Sequence, residues 1–259
     1  MNLHFYKYQG TGNDFILFDN RNGAIQLSTK QIAFLCDRRF GIGADGLMLL
    51  EHKDGYDFKM VYYNADGNES TMCGNGGRCI FAFAKYLGII NNAAKFIAID
   101  GEHHADINNE GIINLEMQNV NNIVSDNHHT ELNTGSPHYV MFVDDVHNTD
   151  VVQTGRGVRN QNQYQPDGIN VNFVQKVDDG IWVRTYERGV EDETLSCGTG
   201  VTAAAIANSN SNTGSFTTKI YTLGGQLQVS FMKDAPFSAK EVILSGPANY
   251  VFEGDINIV

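Results

Sequence analysis

Proline, cysteine and basic side chains are all scarce in this chain. Its 259 residues hold 4 prolines, 4 cysteines and 18 Lys plus Arg against 30 Asp plus Glu, for a formal charge of −12. Few prolines beside 27 glycines point to tight turns between short strands, without rigid linkers. A surplus of acid with no basic cluster repels phosphate backbones and removes nucleic acid from the expected partners. The opening MNLHFYKYQG shows no basic stretch followed by an apolar one, so no secretory signal is expected. No apolar run nears the roughly 18 residues that span a bilayer. A soluble, reduced, cytoplasmic protein with no membrane partner is the expectation. Cys36, Cys73, Cys79 and Cys197 form no C-x-x-C pair, which excludes a disulfide framework and a zinc knuckle. Asn68-Glu69-Ser70 matches a glycosylation acceptor by chance in such a protein.

What is present suits a globular α/β chain, with 42% hydrophobic and 19% charged residues. Strands are expected at 3–8 and 15–18 around the turn Gln9-Gly10-Thr11-Gly12-Asn13, at 57–63, and as three short pieces over 95–118. Ser28 to Arg39 reads as a helix opened by a Ser28/Gln31 capping box and closed by a left-handed Gly41. A second helix runs from about Asn75 to Leu87, stopped by Gly88. Later come strands at 138–143, 170–176 and 180–187, a helix at Thr199 to Ala207, and strands at 216–231 and 241–245. The polar stretch 121–136 reads as the boundary between two halves, 1–120 and 121–246.

One repeat carries the chemistry. Cys73-Gly74-Asn75-Gly76 opens one apolar helix, and Cys197-Gly198-Thr199-Gly200 opens the other 124 residues later. A cysteine just before a helix N-terminus meets the positive end of the dipole and unpaired N–H groups, both of which favour thiolate. The dipole contributes up to roughly 2 kcal/mol, or about 1.5 pKa units. The glycines let a carboxylate approach the same N–H groups. Two such units supply a thiolate and a thiol for the two faces of an amino-acid α-carbon, with no cofactor and no metal. Inverting a stereocentre by proton transfer needs that arrangement.

Other signals have plainer readings. Cys36 and Cys79 fall on apolar helix faces and read as core. Gly41-Ile42-Gly43-Ala44-Asp45-Gly46 matches a dinucleotide fingerprint but follows a helix and precedes a strand, the reverse of what that motif needs. His103-His104 and His128-His129 lack metal spacing and read as solvated surface. Glu187-Arg188 is a surface ion pair or, beside the second motif, a place for a substrate carboxylate. His138 is an ordinary buried histidine or tunes a thiol.

Six segments together give a family resemblance: Gly12 to Phe15, Asn64 to Gly67, Met72 to Arg78 (MCGNGGR), Asn170 to Phe173, Tyr186 to Gly189, and Glu193 to Gly200 (ETLSCGTG). The chain resembles the diaminopimelate epimerases, pyridoxal-independent isomerases of lysine and peptidoglycan precursor synthesis. The resemblance implies an α/β (α+β type) fold of two pseudo-symmetric halves. Each would be a mostly antiparallel curved sheet wrapped around a central helix, with the site in the cleft. The last strand, about 247–259, would return to the first half. It also implies that Cys73 and Cys197 are catalytic and that Gly74, Asn75, Gly198 and Thr199 cradle the reacting end. By the same resemblance Glu187 meets the reacting amine and tunes Cys197. Asn13, Asn64, Asn170 and Arg188 hold the distal end. The implied partner is small-molecule diaminopimelate, with room for a homodimer. Departures are Ser136 where the family often has Asn, Gly46 where some members have Gln, and one extra residue within 190–193. Rival readings are a proline or hydroxyproline racemase of the same fold, a cysteine hydrolase using His138, and an inactive amino-acid-binding module. The second C-G-x-G is unexplained by the hydrolase, and the inactive module sits poorly with both cysteines being present.

Overall fold

A computed structural model describes residues 1–258, which fall into two compact units. The first holds residues 1–115 together with the C-terminal segment from Gly246, and the second residues 116–245.

In the first unit β1 (Asn2–Gly10) and β2 (Asn13–Asp19) form a hairpin. Its two loop residues, Thr11 and Gly12, have φ of 50° and 85°, the left-handed pair that a tight type I′ turn requires. Helix α1 (Thr29–Cys36) starts at the expected Ser28/Gln31 capping box but stops at Cys36, short of Arg39. Gly41 is not left-handed. It presses against the helix end, where a Cβ would lie 2.0 Å from the Phe34 carbonyl oxygen, so the glycine serves close approach. Then follow β3 (Gly46–Glu51), β4 (Phe58–Asn64), β5 (Glu69–Ser70), α2 (Gly74–Tyr86), β6 (Ala93–Ala98), β7 (Gly101–Ile107) and β8 (Ile113–Glu116). Helix α2 packs on β1, β2 and β3, burying Cys79, Ile80, Phe81, Phe83 and Ala84.

The second unit holds β9 (Ile123–Ser125), β10 (Thr130–Asn133), β11 (Pro137–Phe142), α3 (Val151–Arg159), β12 (Asn170–Val177), β13 (Gly180–Glu187) and β14 (Asp192–Thr194). It continues with α4 (Gly198–Asn208), β15 (Gly214–Thr222), β16 (Gly225–Lys233) and β17 (Lys240–Gly246). Strands β10 to β13, β15 and β16 all touch α4. The helix is apolar on every side, mostly small residues, so strands can close around it. Strand β18 (Asn249–Asn257) pairs antiparallel with β1.

The two units share one topology. In the first, β2–β3 and β4–β6 are parallel, while β1–β2, β3–β4, β4–β5, β6–β7 and β7–β8 are antiparallel. In the second, β11–β12 and β13–β15 are parallel, with β10–β11, β12–β13, β13–β14, β15–β16 and β16–β17 antiparallel. Helices α1 and α3 join the first parallel pair of each unit, and α2 and α4 join the second. The fold is thus mixed α/β, mostly antiparallel, and written twice along the chain.

Candidate active site

Each reacting cysteine candidate is the N-cap of its unit's central helix. Cys73 caps α2 with φ −91° and ψ 131°, and Cys197 caps α4 with φ −111° and ψ 113°. The extended N-cap backbone lets each cysteine carbonyl accept the first helical bond, from Gly77 N at 2.7 Å and from Val201 N at 2.9 Å. The N–H groups of the first turn have no intrahelical acceptor and point past the cap. Cys36 and Cys79 are core, as expected, and burial pushes the Cys36 thiol up to about 12 and the Cys79 thiol further still.

The first unit gathers Asn13, Cys73 and Asn75. The Cys73 Sγ donates to Asn13 Oδ1 at 3.6 Å, and Asn75 Nδ2 donates to the same oxygen at 3.3 Å. Asn13 Nδ2 donates to Asp45 Oδ2 at 2.7 Å, and that carboxylate also takes Arg38. The glycine motif around Asp45, which lies between α1 and β3, therefore sets the amide orientation of Asn13. Asn75 is fully buried, and its Oδ1 accepts from Arg78 Nη2 at 2.9 Å. Asn64 is exposed at the end of β4 opposite Gly46. Gly74 contributes its carbonyl to Arg78 Nη1 at 3.2 Å.

The second unit forms three groups. Cys197 Sγ lies 3.5 Å from Thr199 Oγ1, and the Thr199 carbonyl accepts from Thr134 Oγ1 at 2.8 Å. The Gly198 carbonyl accepts from Thr202 Oγ1 at 2.8 Å. Glu187, the last residue of β13, takes Thr194 Oγ1 on its Oε2 at 2.9 Å. Asn170 accepts the Arg188 backbone N–H at 2.9 Å, so it fixes the turn from which the Arg188 side chain leaves.

His138 is fully buried on β11, and burial, with Arg188 nearby, pushes its pKa down to about 3. It is neutral at ordinary pH, and its Nδ1 accepts from Asn172 Nδ2 at 3.1 Å. Asn172 and Thr134 are absent from the sequence-derived set. Asn172 is wholly buried, takes Thr185 Oγ1 at 3.0 Å, and lies against the first turn of α4. A Cβ on Gly200 would sit 2.4 Å from its Oδ1 and 3.3 Å from the Cys197 sulfur. The signal was the N-x-N spacing of Asn170 and Asn172, which puts both on one face of a strand. His103 is not solvated as expected. It is buried, stacks on Phe96 with centroids 5.4 Å apart, and pairs with Asp100, whose carboxylate also accepts the Met72 N–H just before Cys73. Among the described residues no cluster of three His, Cys, Asp or Glu side chains is arranged to hold a metal ion.

Comparison with known proteins decides the family. The model for diaminopimelate epimerase matches residues 5–123 and 130–251. The diaminopimelate epimerase of Flavobacterium psychrophilum is 54% identical over 260 residues, 98% of this chain and 100% of its own. The chain belongs to the diaminopimelate epimerase family. The Chlorobaculum tepidum enzyme of the same name is 40% identical, covering 96% of this chain and 99% of its own. Among solved structures, a PhzF-family phenazine biosynthesis protein of Bacillus anthracis has a TM-score of 0.76 at 13% identity, covering 100% of both chains. A hydroxyproline epimerase of Agrobacterium vitis has a TM-score of 0.68 at 15% identity, covering 98% of this chain and 92% of its own. At those identities the likeness concerns the fold alone.

Within the diaminopimelate epimerase family the three departures have local explanations. The Ser136 hydroxyl accepts from Asn170 Nδ2 at 2.8 Å and from Arg188 Nη2 at 3.4 Å, so it joins two expected substrate contacts. Position 46 has no room for a side chain, since a Cβ would lie 2.6 Å from the Tyr62 ring. In the longer turn Glu191 has φ of 60°, and its carboxylate takes Arg159 Nε at 3.0 Å and Tyr186 Oη at 3.1 Å.

Proposed function

We propose that the protein interconverts LL- and meso-diaminopimelate by moving one proton off one face of an α-carbon and another onto the opposite face. The observation that carries this reading is the pair of N-cap cysteines at equivalent places in one topology written twice. One sulfur, as thiolate, takes the α-proton. The electron pair passes into the adjacent carboxylate, and the other sulfur, as thiol, returns a proton on the far face. The next turnover in the reverse direction starts from the swapped protonation state. No electrons leave the substrate, so no oxidant is required.

Charge building on the carboxylate is met by the first-turn N–H groups of α2 and α4, fixed before the reaction starts. Asn75 and Thr199 complete that cradle. Glu187 receives the reacting amine beside Cys197, and Arg188 binds the distal carboxylate as a two-pronged cation. Asn13, Asn64 and Asn170 hold the remaining distal polar atoms. His138, held neutral, acts on its surroundings through its hydrogen bond to Asn172 and carries no charge into the site.

Incubating purified protein with LL-diaminopimelate, with nothing added, should yield the meso isomer at chiral chromatography, while proline stays unchanged. Comparable turnover of proline would instead assign the chain to the racemases of this fold. Among the described residues no helix is long and apolar enough to cross a membrane. A second copy of the chain is the proposed macromolecular partner. The exposed side chains of Tyr86 on α2 and of Tyr250, Val251 and Phe252 on strand β18 support it. Sedimentation should give twice the chain mass, falling to one with Phe252→Asp. A wild type of single chain mass would remove this part of the reading.

A further inference from the structure

Among the described residues Arg78 is the largest fully buried side chain and makes no ion pair. Arginine does not give up its charge in proteins, and an uncompensated buried cation is strongly destabilising. Its location adds to the cost. Long side chains on a helix run back toward the N-terminus, and this one does. Its Nη1 reaches the Gly74 carbonyl at 3.2 Å and its Nη2 reaches Asn75 Oδ1 at 2.9 Å. The guanidinium therefore lies at the positive end of α2, where cations are disfavoured. Its remaining contacts, Thr11 Oγ1 at 3.5 Å and the Pro247 carbonyl at 3.4 Å, are neutral.

The titratable groups close enough to act on it are Cys79 and Cys73. Cys79 stays a neutral thiol, because burial raises its pKa far above physiological pH; Tyr8 on β1 and Asp14 on β2 are among the groups around it. Asp14 is itself occupied by Lys7 and Arg38. Lys7 on β1 also binds the Gly43 carbonyl, and Glu253 on β18 takes Tyr86. Cys73 is the group whose ionisation would offset the cation.

The second unit supplies the contrast. Five residues after its cap stands Thr202, not an arginine, and its hydroxyl makes the same bond to the Gly198 carbonyl that Arg78 makes to Gly74. Equivalent positions thus hold a cation under one cysteine and a neutral hydroxyl under the other.

We propose that Arg78 is a positioning residue that makes the Cys73 thiol the more acidic of the two and fixes the neighbouring Asn75 amide, so that the two cysteines differ in how readily they ionise. The inference rests on reading Cys73 as an acid–base group. In Asn75 the oxygen is committed to Arg78, which turns the amide N–H toward Asn13 Oδ1, the oxygen that the Cys73 sulfur also meets.

The test is the pH dependence of alkylation by iodoacetamide, read at each cysteine by peptide mass spectrometry on the wild type, Arg78→Gln and Arg78→Lys. Gln keeps a donor for Asn75 without the charge, and Lys keeps the charge. Wild-type Cys73 should react with a lower pH midpoint than Cys197. In Arg78→Gln the Cys73 midpoint should rise by about one unit, a tenfold loss of thiolate at neutral pH, while the Cys197 midpoint stays put. Arg78→Lys should recover most of the difference. An unmoved Cys73 midpoint in folded Arg78→Gln, or an equal move at Cys197, would overturn the proposal. If Arg78→Gln does not fold, Cys73→Asp should stabilise the protein over Cys73→Asn by more than the same exchange does at position 197; equal gains overturn it. An enzyme active on diaminopimelate with unmoved midpoints removes only the role of Arg78. A wild type inert toward diaminopimelate removes the proposed reaction and leaves the midpoints to judge Arg78.

Discussion

His138 shows how far one residue's surroundings can set its chemistry. Its ring is buried on β11 against Asn172, and burial takes the pKa from 6.5 to about 3. The unfolded chain binds a proton at this histidine below about pH 6.5, whereas the folded protein refuses it until about pH 3. Between those values folding expels a proton, so stability falls as the pH falls, at up to about 1.4 kcal/mol per pH unit. Above pH 6.5 the residue contributes no pH dependence. Urea unfolding of wild type and His138→Gln between pH 7 and 4 should therefore give converging curves, with the wild type the steeper. Parallel curves would mean that the ring is charged in the folded protein.

Helices α3 and α4 each contain a glycine whose replacement by alanine tests a different thing. Gly157 in α3 has open space around its Cβ position, so Gly157→Ala should raise stability by about 0.5–1 kcal/mol. Gly200 in α4 faces the Asn172 oxygen at 2.4 Å, and Gly200→Ala must push Asn172 or Cys197 aside. It should lower both the melting temperature and turnover, and equal effects at the two sites would contradict the described packing around Cys197.

Legibility in the sequence follows the same division. The Ser28 cap, the Thr11-Gly12 turn and both cysteine-capped helices were readable, because each depends on residues adjacent in the chain. Helix α3 was not foreseen: Val151, Gly155 and Val158 form its whole buried stripe, and two interior glycines hide the helical signal. Gly155 is there because the Tyr186 Cβ lies 2.4 Å from where its own would be, a contact between distant segments. Strands β9 and β10 were missed inside a polar stretch, being three and four residues long. For the site, the cysteines and their glycines could be read locally. The burial of Arg78, the pairing of Asn172 with His138 and the hold of Asp45 on Asn13 could not, since each joins residues on different elements or depends on what packs above them.

At the scale of the whole molecule, one topology appears twice, and in each copy a cysteine caps the buried central helix. Duplication explains why a single chain carries two chemically alike groups, and the Arg78/Thr202 difference explains how they acquire different duties. The central claim is that each copy serves one face of the α-carbon. Its most direct test is α-carbon deuterium incorporation in D₂O, measured from the LL and meso isomers separately with wild type, Cys73→Ser and Cys197→Ser, a hydroxyl being a far weaker base than a thiolate. The account predicts that wild type labels product from both isomers. Cys73→Ser should lose exchange for one isomer and Cys197→Ser for the other, with Cys36→Ser and Cys79→Ser close to wild type. A single mutant dead toward both isomers while the other is unaffected, or near-normal inversion by either Cys73→Ser or Cys197→Ser, would contradict it.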